Sequence, residues 1–176
     1  MDNLKSAGFQ CGIISSGATP TFWGSLKNEY LNILHPGNYV FNDTIQMSID
    51  NATVEECAVY MYTTVISHPQ ENLYICDAGT KCFALDQGAH GNNSIKGYGT
   101  IKGHPELTMY SLSEEVGKMH ADGPTTLKVG DKIEVIPNHS CPTCNNTSFA
   151  IGVRNGEVEC VIPIDFRENS TYKGIR

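Results

Sequence analysis

The sequence predicts a mainly β fold, a small β-barrel or closed sandwich, preceded by one short strand–helix unit. Three observations carry this. Most of the chain breaks into short runs rich in β-branched and aromatic residues, each bounded by Gly, Pro, Asn or Asp. Arg154-Asn155-Gly156 interrupts the last apolar run with the Asn-Gly pair that suits a tight hairpin. The N-terminal residues differ, because a short apolar run is followed by a glycine loop and a helix-start signal.

In chain order, "CGIISSG" (Cys11–Gly17) reads as a short buried strand. "ATPTFWGSLKNEYLNIL" (Ala18–Leu34) follows, with Thr19 as N-cap and Pro20 in the first helical turn. One such unit does not cover both faces of a sheet, so it reads as the edge of a larger α/β assembly. "HPGNYVFND" (His35–Asp43) reads as a turn and a strand carrying Tyr39, Asn42 and Asp43. "ECAVYMYTTVIS" (Glu56–Ser67) is a strand stopped by His68-Pro69, and "NLYICDAG" is a strand ending in a glycine turn. "ELTMYSLS" repeats the pattern. "VGDKIEVIP" sets a Gly-Asp turn before a strand with Ile133, Val135 and Pro137 on one face and Lys132, Glu134 and Ile136 on the other. "SFAIGVRNGEVECVIPI" closes the chain as the hairpin.

At 176 residues the chain is long enough for one domain with a real core, plus a short extension. It is 40% hydrophobic and 18% charged, with no apolar run long enough to span a bilayer. A formal charge of −7 without a basic cluster argues against nucleic acid and against an anionic membrane surface as partners. "SAGFQCGIISSG" is too short and too broken by glycine for a signal peptide. Seven cysteines then read as reduced thiols, and the expected location is cytoplasmic.

Two motifs bear chemistry. "SSGATPT" (Ser15–Thr21) places a glycine between a strand and a helix start, where backbone N–H groups can receive a phosphate and Thr19 or Thr21 can add a hydroxyl. A plain turn with a capped helix is written the same way. In "PNHSCPTC", His139 and Cys141 stand at i and i+2 on an extended strand, so one metal ion can reach both. Adding Cys144 would give a zinc knuckle, but no second Cys or His pair with suitable spacing completes a closed cage. A redox CxxC begins a helix in a thioredoxin-like unit, and the strand and Pro137 before this one do not fit that setting. The bland alternative is a solvent-near histidine beside buried cysteines. "SLSEEVG" (Ser111–Gly117) is ordinarily a solvated turn and less often a general acid or an outer support of a metal site. His68, His90, His104 and His120 have no ligand spacing and read as surface or loop residues.

Taken in order, "SSGATPT", "HPGNYVFND", "CAVYMYTTVIS", "DAGTK", "GYG", "GHPE", "SLSEE-G", "VGDKIEVIPNHSCPT" and "GEVECVIPIDFR" resemble the metal-dependent D-serine dehydratase / D-threonine aldolase family. These are pyridoxal-phosphate enzymes of the alanine-racemase-like fold type. The resemblance runs from about Ser15 to Arg167. It implies an alanine-racemase C-terminal-domain-like β-domain over residues 35–176, and the end of a cofactor-binding TIM barrel over residues 1–34. It implies that Gly17, Ala18 and Thr19 match the phosphate turn, and that His139 and Cys141 match the ligands of zinc or another divalent metal. In such a site the metal polarises the substrate β-hydroxyl while the pyridoxal ring stabilises an α-carbanion, giving dehydration or retro-aldol cleavage of a small D-amino acid.

Two departures matter. A complete (β/α)₈ barrel needs roughly 250 residues, and no lysine here matches the family's Schiff-base lysine. No catalytic residue is therefore assigned, and the isolated chain is expected to be inactive; a separate barrel domain or a second copy of the chain is the expected protein partner. The family's Ser-Glu-Glu-His-Gly reads Ser113-Glu114-Glu115-Val116-Gly117 here, which removes that histidine. Cys144 stands where the family tends to have an aliphatic residue, so a small buried hydrophobe is expected there. The competing expectation is a stand-alone β-barrel that binds a metal or a partner and catalyses nothing.

Overall fold

The computed structural model describes residues 2–10, 12–88 and 93–167. The chain opens with α1 (Asp2–Ser6), and β1 (Ser15–Ser16) pairs in parallel with β2 (Ile33–Leu34). A 3₁₀ turn, Thr19–Thr21, runs into α2 (Phe22–Leu26) between them, so the predicted strand–helix unit is a small β-α-β crossover. Asn32 staples it by accepting from the Ile14 N–H at 2.9 Å and donating to the Gly12 carbonyl at 3.1 Å. The cap falls one residue earlier than predicted. Ala18, extended at φ −141° and ψ 164°, is the N-cap, and the Thr21 hydroxyl holds its backbone N–H at 3.2 Å. Thr19 is drawn inward instead, its hydroxyl accepting from the Tyr39 N–H at 3.0 Å.

The strand expected within His35–Asp43 does not form. A 3₁₀ turn at Asn38–Val40 is followed by α3 (Thr44–Ser48), because Asn42 sits at φ 53° and Asp43 caps the helix by accepting from the Gln46 N–H at 3.0 Å. A further 3₁₀ turn, Val54–Glu56, takes the start of the next predicted strand, since the Glu56 carboxylate accepts from the Thr53 N–H at 2.8 Å. Strand β3 therefore begins at Met61, and it runs through His68-Pro69 to Gln70. Pro69 is tolerated because pairing with β4 (Leu73–Cys76) shifts register between Ser67 and Gln70. His68 stacks on Tyr74 with ring centres 4.1 Å apart.

Then follow α4 (Thr80–Phe83), β5 (Thr100–Ile101), β6 (Leu107–Leu112), β7 (Gly117–Ala121), β8 (Lys132–Ile136), α5 (Ser140–Asn145), β9 (Phe149–Arg154) and β10 (Glu157–Pro163). Six strands form one antiparallel sheet in the order β5-β8-β3-β4-β7-β6. The Tyr98 N–H donates to the Met109 carbonyl at 2.9 Å, joining the approach to β5 to β6 and nearly closing the sheet into a barrel. Gly97 permits this: at φ +71° a Cβ would lie 2.2 Å from the Met109 oxygen. Alternation fills the interior with Val65, Met109, Met119, Ile133 and Val135, with Phe83 and Leu127 completing the cluster. Burying each methionine contributes about 1.5–3 kcal/mol. Ile136 is also buried, because α3 covers the end of β8: Thr44 N–H donates to the Pro137 carbonyl at 3.0 Å and Ile45 N–H to the Asn138 carbonyl at 3.1 Å.

The β9–β10 hairpin forms its own two-stranded sheet, with Asn155 at φ 53° and Gly156 at φ 81° as the Asn-Gly turn requires. Phe149, Ile151, Val153, Val158 and Val161 on it are exposed. No helix among the described residues is long and apolar enough to cross a membrane.

Candidate active site

The site is assembled where β8 ends. Pro137 stops the ladder, Asn138 turns inward, and His139 stays extended at φ −136° and ψ 112° as the N-cap of α5. Cys141 therefore stands in the first turn of a helix and not on the predicted strand. The helix forms because the Thr143 hydroxyl bonds back to the His139 carbonyl at 3.0 Å, while Ser140 and Thr143 are both buried. Cys141-Pro-Thr-Cys144 thus does begin a helix, which removes the local objection to a redox pair. The setting is still an antiparallel barrel strand, and the thiol chemistry points the other way. Burial, then the Asp43 and Asp86 charges, push the Cys141 thiol above its usual range, and burial and then Cys141 do the same to Cys144. A reactive thiolate needs the opposite shift. Nor is Cys144 the buried residue of this turn, since it is only half-buried; Ser140 and Thr143 fill that place.

His139 Nδ1 lies 2.9 Å from Asp86 Oδ1, so the carboxylate accepts from this nitrogen, fixes the ring and leaves Nε2 free for another partner. Asn138 holds the Asp86 segment in place, its amide donating to the Asp86 carbonyl at 2.9 Å and the Gly97 carbonyl at 2.8 Å. On the other side, Ala18, Thr19, His35, Asn38 and Gln46 share with His139 the lining of one cavity of about 240 Å³. Gly17 stands just behind this wall at φ +119°, where a Cβ would lie 3.3 Å from the His35 nitrogen.

The structure therefore brings Ala18, Thr19 and His139 together, with Gly17 supporting the turn; Cys141, two residues beyond His139, is exposed as a residue although its sulfur is partly shielded. Among the described residues no three His, Cys, Asp or Glu side chains converge to hold a metal. His139 and Cys141 would bind one as a pair with the remaining positions open, and a three-donor knuckle through Cys144 is not formed. His35 and Asp86 escaped the sequence reading, which named Asp43 without giving it a role. Asp43 had a signal, because Asp-Thr-Ile-Gln has the spacing of a helix cap; Asp86 had none. Glu115 pairs with Lys81 on an exposed turn, so Ser113–Val116 is the solvated turn, while Ser111, Leu112 and Gly117 belong to the strands on either side of it. His104 and His120 pair with Glu106 and Asp122 near the surface. His90 and Cys11 lie outside the described residues.

A family model described as "Putative serine dehydratase domain" matches residues 58–153, more than half of the chain. The chain belongs to this serine dehydratase family. Similarity extends to a D-serine dehydratase of Dictyostelium discoideum, 33% identical over 80% of this chain and 39% of that protein. A 3-hydroxy-D-aspartate aldolase of Paracoccus denitrificans (strain Pd 1222) is 30% identical over 95% of this chain and 42% of its own length. Solved structures of D-threo-3-hydroxyaspartate dehydratase are also similar. The one from Delftia sp. HT23 superposes with a TM-score of 0.78 at 25% identity, over 93% of this chain and 47% of that one. Two variants, a histidine-to-alanine form and a cysteine-to-alanine form in the metal-free state, give 0.80 and 0.78, and the two substituted residues stand two positions apart. The chain spans about two fifths of the length of these curated relatives.

Proposed function

We propose that this chain is the metal-bearing part of a pyridoxal-phosphate-dependent lyase acting on D-β-hydroxy amino acids, by D-serine dehydration or D-threonine retro-aldol cleavage. One observation carries the reading: Ala18 and Thr19, more than a hundred residues from His139 in sequence, line one cavity with it. The His-x-Cys spacing of His139 and Cys141 also equals that of the two residues substituted in the dehydratase variants. The parallel β1–β2 pair against an antiparallel barrel supports residues 1–34 as the end of a cofactor barrel and 35–176 as the β-domain.

In this reading the backbone of Gly17, Ala18 and Thr19 receives the cofactor phosphate, and His139 Nε2 and the Cys141 sulfur hold a divalent metal, zinc first among candidates. When bound, the pyridoxal ring stabilises negative charge at the substrate α-carbon and the metal polarises the β-hydroxyl. Asp86 keeps the His139 ring oriented. The lysine that takes the cofactor covalently is assigned to a barrel domain outside these residues, which turnover requires. The exposed apolar hairpin, together with Trp23, Leu26 and Ile33, is the surface that such a domain or a second copy would cover. A reducing, cytoplasmic setting suits the six free cysteines described. A metal-binding barrel without catalysis is the second reading, favoured by a barrel core that closes without the N-terminal unit.

The test is to assay the purified chain with added pyridoxal phosphate and zinc on D-serine, D-threonine and D-threo-3-hydroxyaspartate, alone and with a co-expressed barrel domain from a relative. Turnover is expected only in the mixture, and only with His139 intact. Turnover by the chain alone would overturn the assignment.

A further inference from the structure

Asp43 is fully buried, and its carboxylate is held by three donors. Oδ1 accepts from the Gln46 N–H at 3.0 Å, while Oδ2 accepts from the Asn38 side-chain amide at 2.5 Å and from the Ser140 backbone N–H at 2.9 Å. Ser140, also fully buried, returns its hydroxyl to Asn38 Oδ1 at 2.5 Å. A closed triangle of Asp43, Asn38 and Ser140 results, with Asp43 and Ser140 fully buried and Asn38 half-buried at the cavity wall. Burying a carboxylate is costly unless charge-assisted hydrogen bonds satisfy it. The arrangement therefore persists only while all three partners stay in place.

The ends of this triangle matter. Ser140 is the residue between His139 and Cys141, and Asn38 and Gln46 both line the cavity that His139 faces. His139 is extended and Cys141 helical, so the direction of one side chain relative to the other is set by the backbone joining them at Ser140. The neighbouring bonds from Thr44 and Ile45 fix Pro137 and Asn138 but stop short of that joint. We propose that Asp43 is the positioning residue of the site: by gripping the Ser140 N–H it sets the angle between the His139 imidazole and the Cys141 thiol that one divalent metal requires, and through Asn38 and Gln46 it ties that angle to the cavity wall. The inference rests on the reading of His139 and Cys141 as metal ligands.

The experiment compares wild type, Asp43→Asn, Asn38→Ala and His139→Ala in the full 176-residue chain. Zinc affinity is measured by competition with a chromophoric chelator, the cobalt-to-thiolate charge-transfer band in the cobalt-loaded chain, and Ser140 amide hydrogen exchange in the metal-free chain. Asp43→Asn keeps the shape and can still cap α3, but it replaces the acceptor facing Ser140 by a donor. It is expected to weaken zinc about 10–100-fold, to diminish the cobalt–thiolate band, and to lose protection of the Ser140 amide. His139→Ala is expected to abolish binding. If folded Asp43→Asn binds zinc like wild type with an unchanged cobalt spectrum, Asp43 is only a packing element and the proposal falls. Should Asp43→Asn fail to fold, Asn38→Ala decides, with weaker zinc and a less protected Ser140 expected and wild-type values overturning it. If wild type itself takes up no zinc, the ligand reading fails, and with it the metal half of the proposal. Amide exchange then judges the clamp alone: protection lost in Asp43→Asn upholds it, and protection kept overturns it.

Discussion

Replacing Asn138 tests how the site is hung on the barrel. Its side chain is buried, and its amide donates to two backbone carbonyls, those of Asp86 and Gly97, while its own Oδ1 has no protein partner among the described residues. The donated bonds pin the segment that orients His139 and the glycine through which the barrel nearly closes. Asn138→Ala deletes both bonds and strands two carbonyls, a loss of about 1–3 kcal/mol at roughly 1 kcal/mol per neutral hydrogen bond. In a chain of this size, at about 2–4 °C per kcal/mol, that lowers the melting temperature by about 2–12 °C. Asn138→Asp is the sharper case, because it points a carboxylate at two carbonyl oxygens and buries an unpaired charge. It should destabilise more than Asn138→Ala does. Urea titration at neutral pH, read by circular dichroism, gives both midpoints. Should Asn138→Asp prove as stable as wild type, the amide is not the donor to these carbonyls.

Other outcomes follow from the same geometry. Gly79→Ala would place a Cβ 2.2 Å from the Ser113 oxygen and 2.5 Å from that of Glu114, both backbone; a loss of about 1–3 kcal/mol in denaturant titration is expected. Burial, then the Asp43, Glu56 and Glu55 charges, raise the Cys57 thiol from 9.0 to about 11. The folded state then holds that proton longer than the unfolded one, so its contribution is full below pH 9 and is lost as pH rises through about 11. Cys57→Ala should flatten that alkaline limb in melts recorded across the range. Hydrogen bonds from Thr63 and Thr64 hold the Asp77 carboxyl below its ordinary value. Its contribution is present above that value and lost on acidification, and Asp77→Asn should shallow the acid limb of the same melts.

The barrel was legible because its strands obey local rules. Alternation on β6 and β8 and the Asn155-Gly156 turn are decided within a few residues, and the structure keeps them. What was misread depends on partners distant in sequence. His35–Asp43 carries an apolar Tyr-Val-Phe run, yet Asp43 satisfies a helix N-terminus and Ser140 at once, which no local pattern announces. Cys141 read as a strand residue because His-x-Cys follows an alternating run, whereas Pro137 and the buried Ser140 and Thr143 start a helix there. Asp86 shows its role only once Asn138 draws its segment beside His139. The ligand candidates themselves were visible from residue type and spacing, since metal chemistry restricts both.

The most direct measurement is zinc content after equilibrium dialysis of the purified chain beside His139→Ala, Cys141→Ala and Cys144→Val, each first shown to be folded. An equimolar amount of zinc in wild type and Cys144→Val, with little in the other two, is the expected result. Binding that survives loss of His139 and Cys141, or that vanishes with Cys144 as completely as with Cys141, would contradict the two-ligand site.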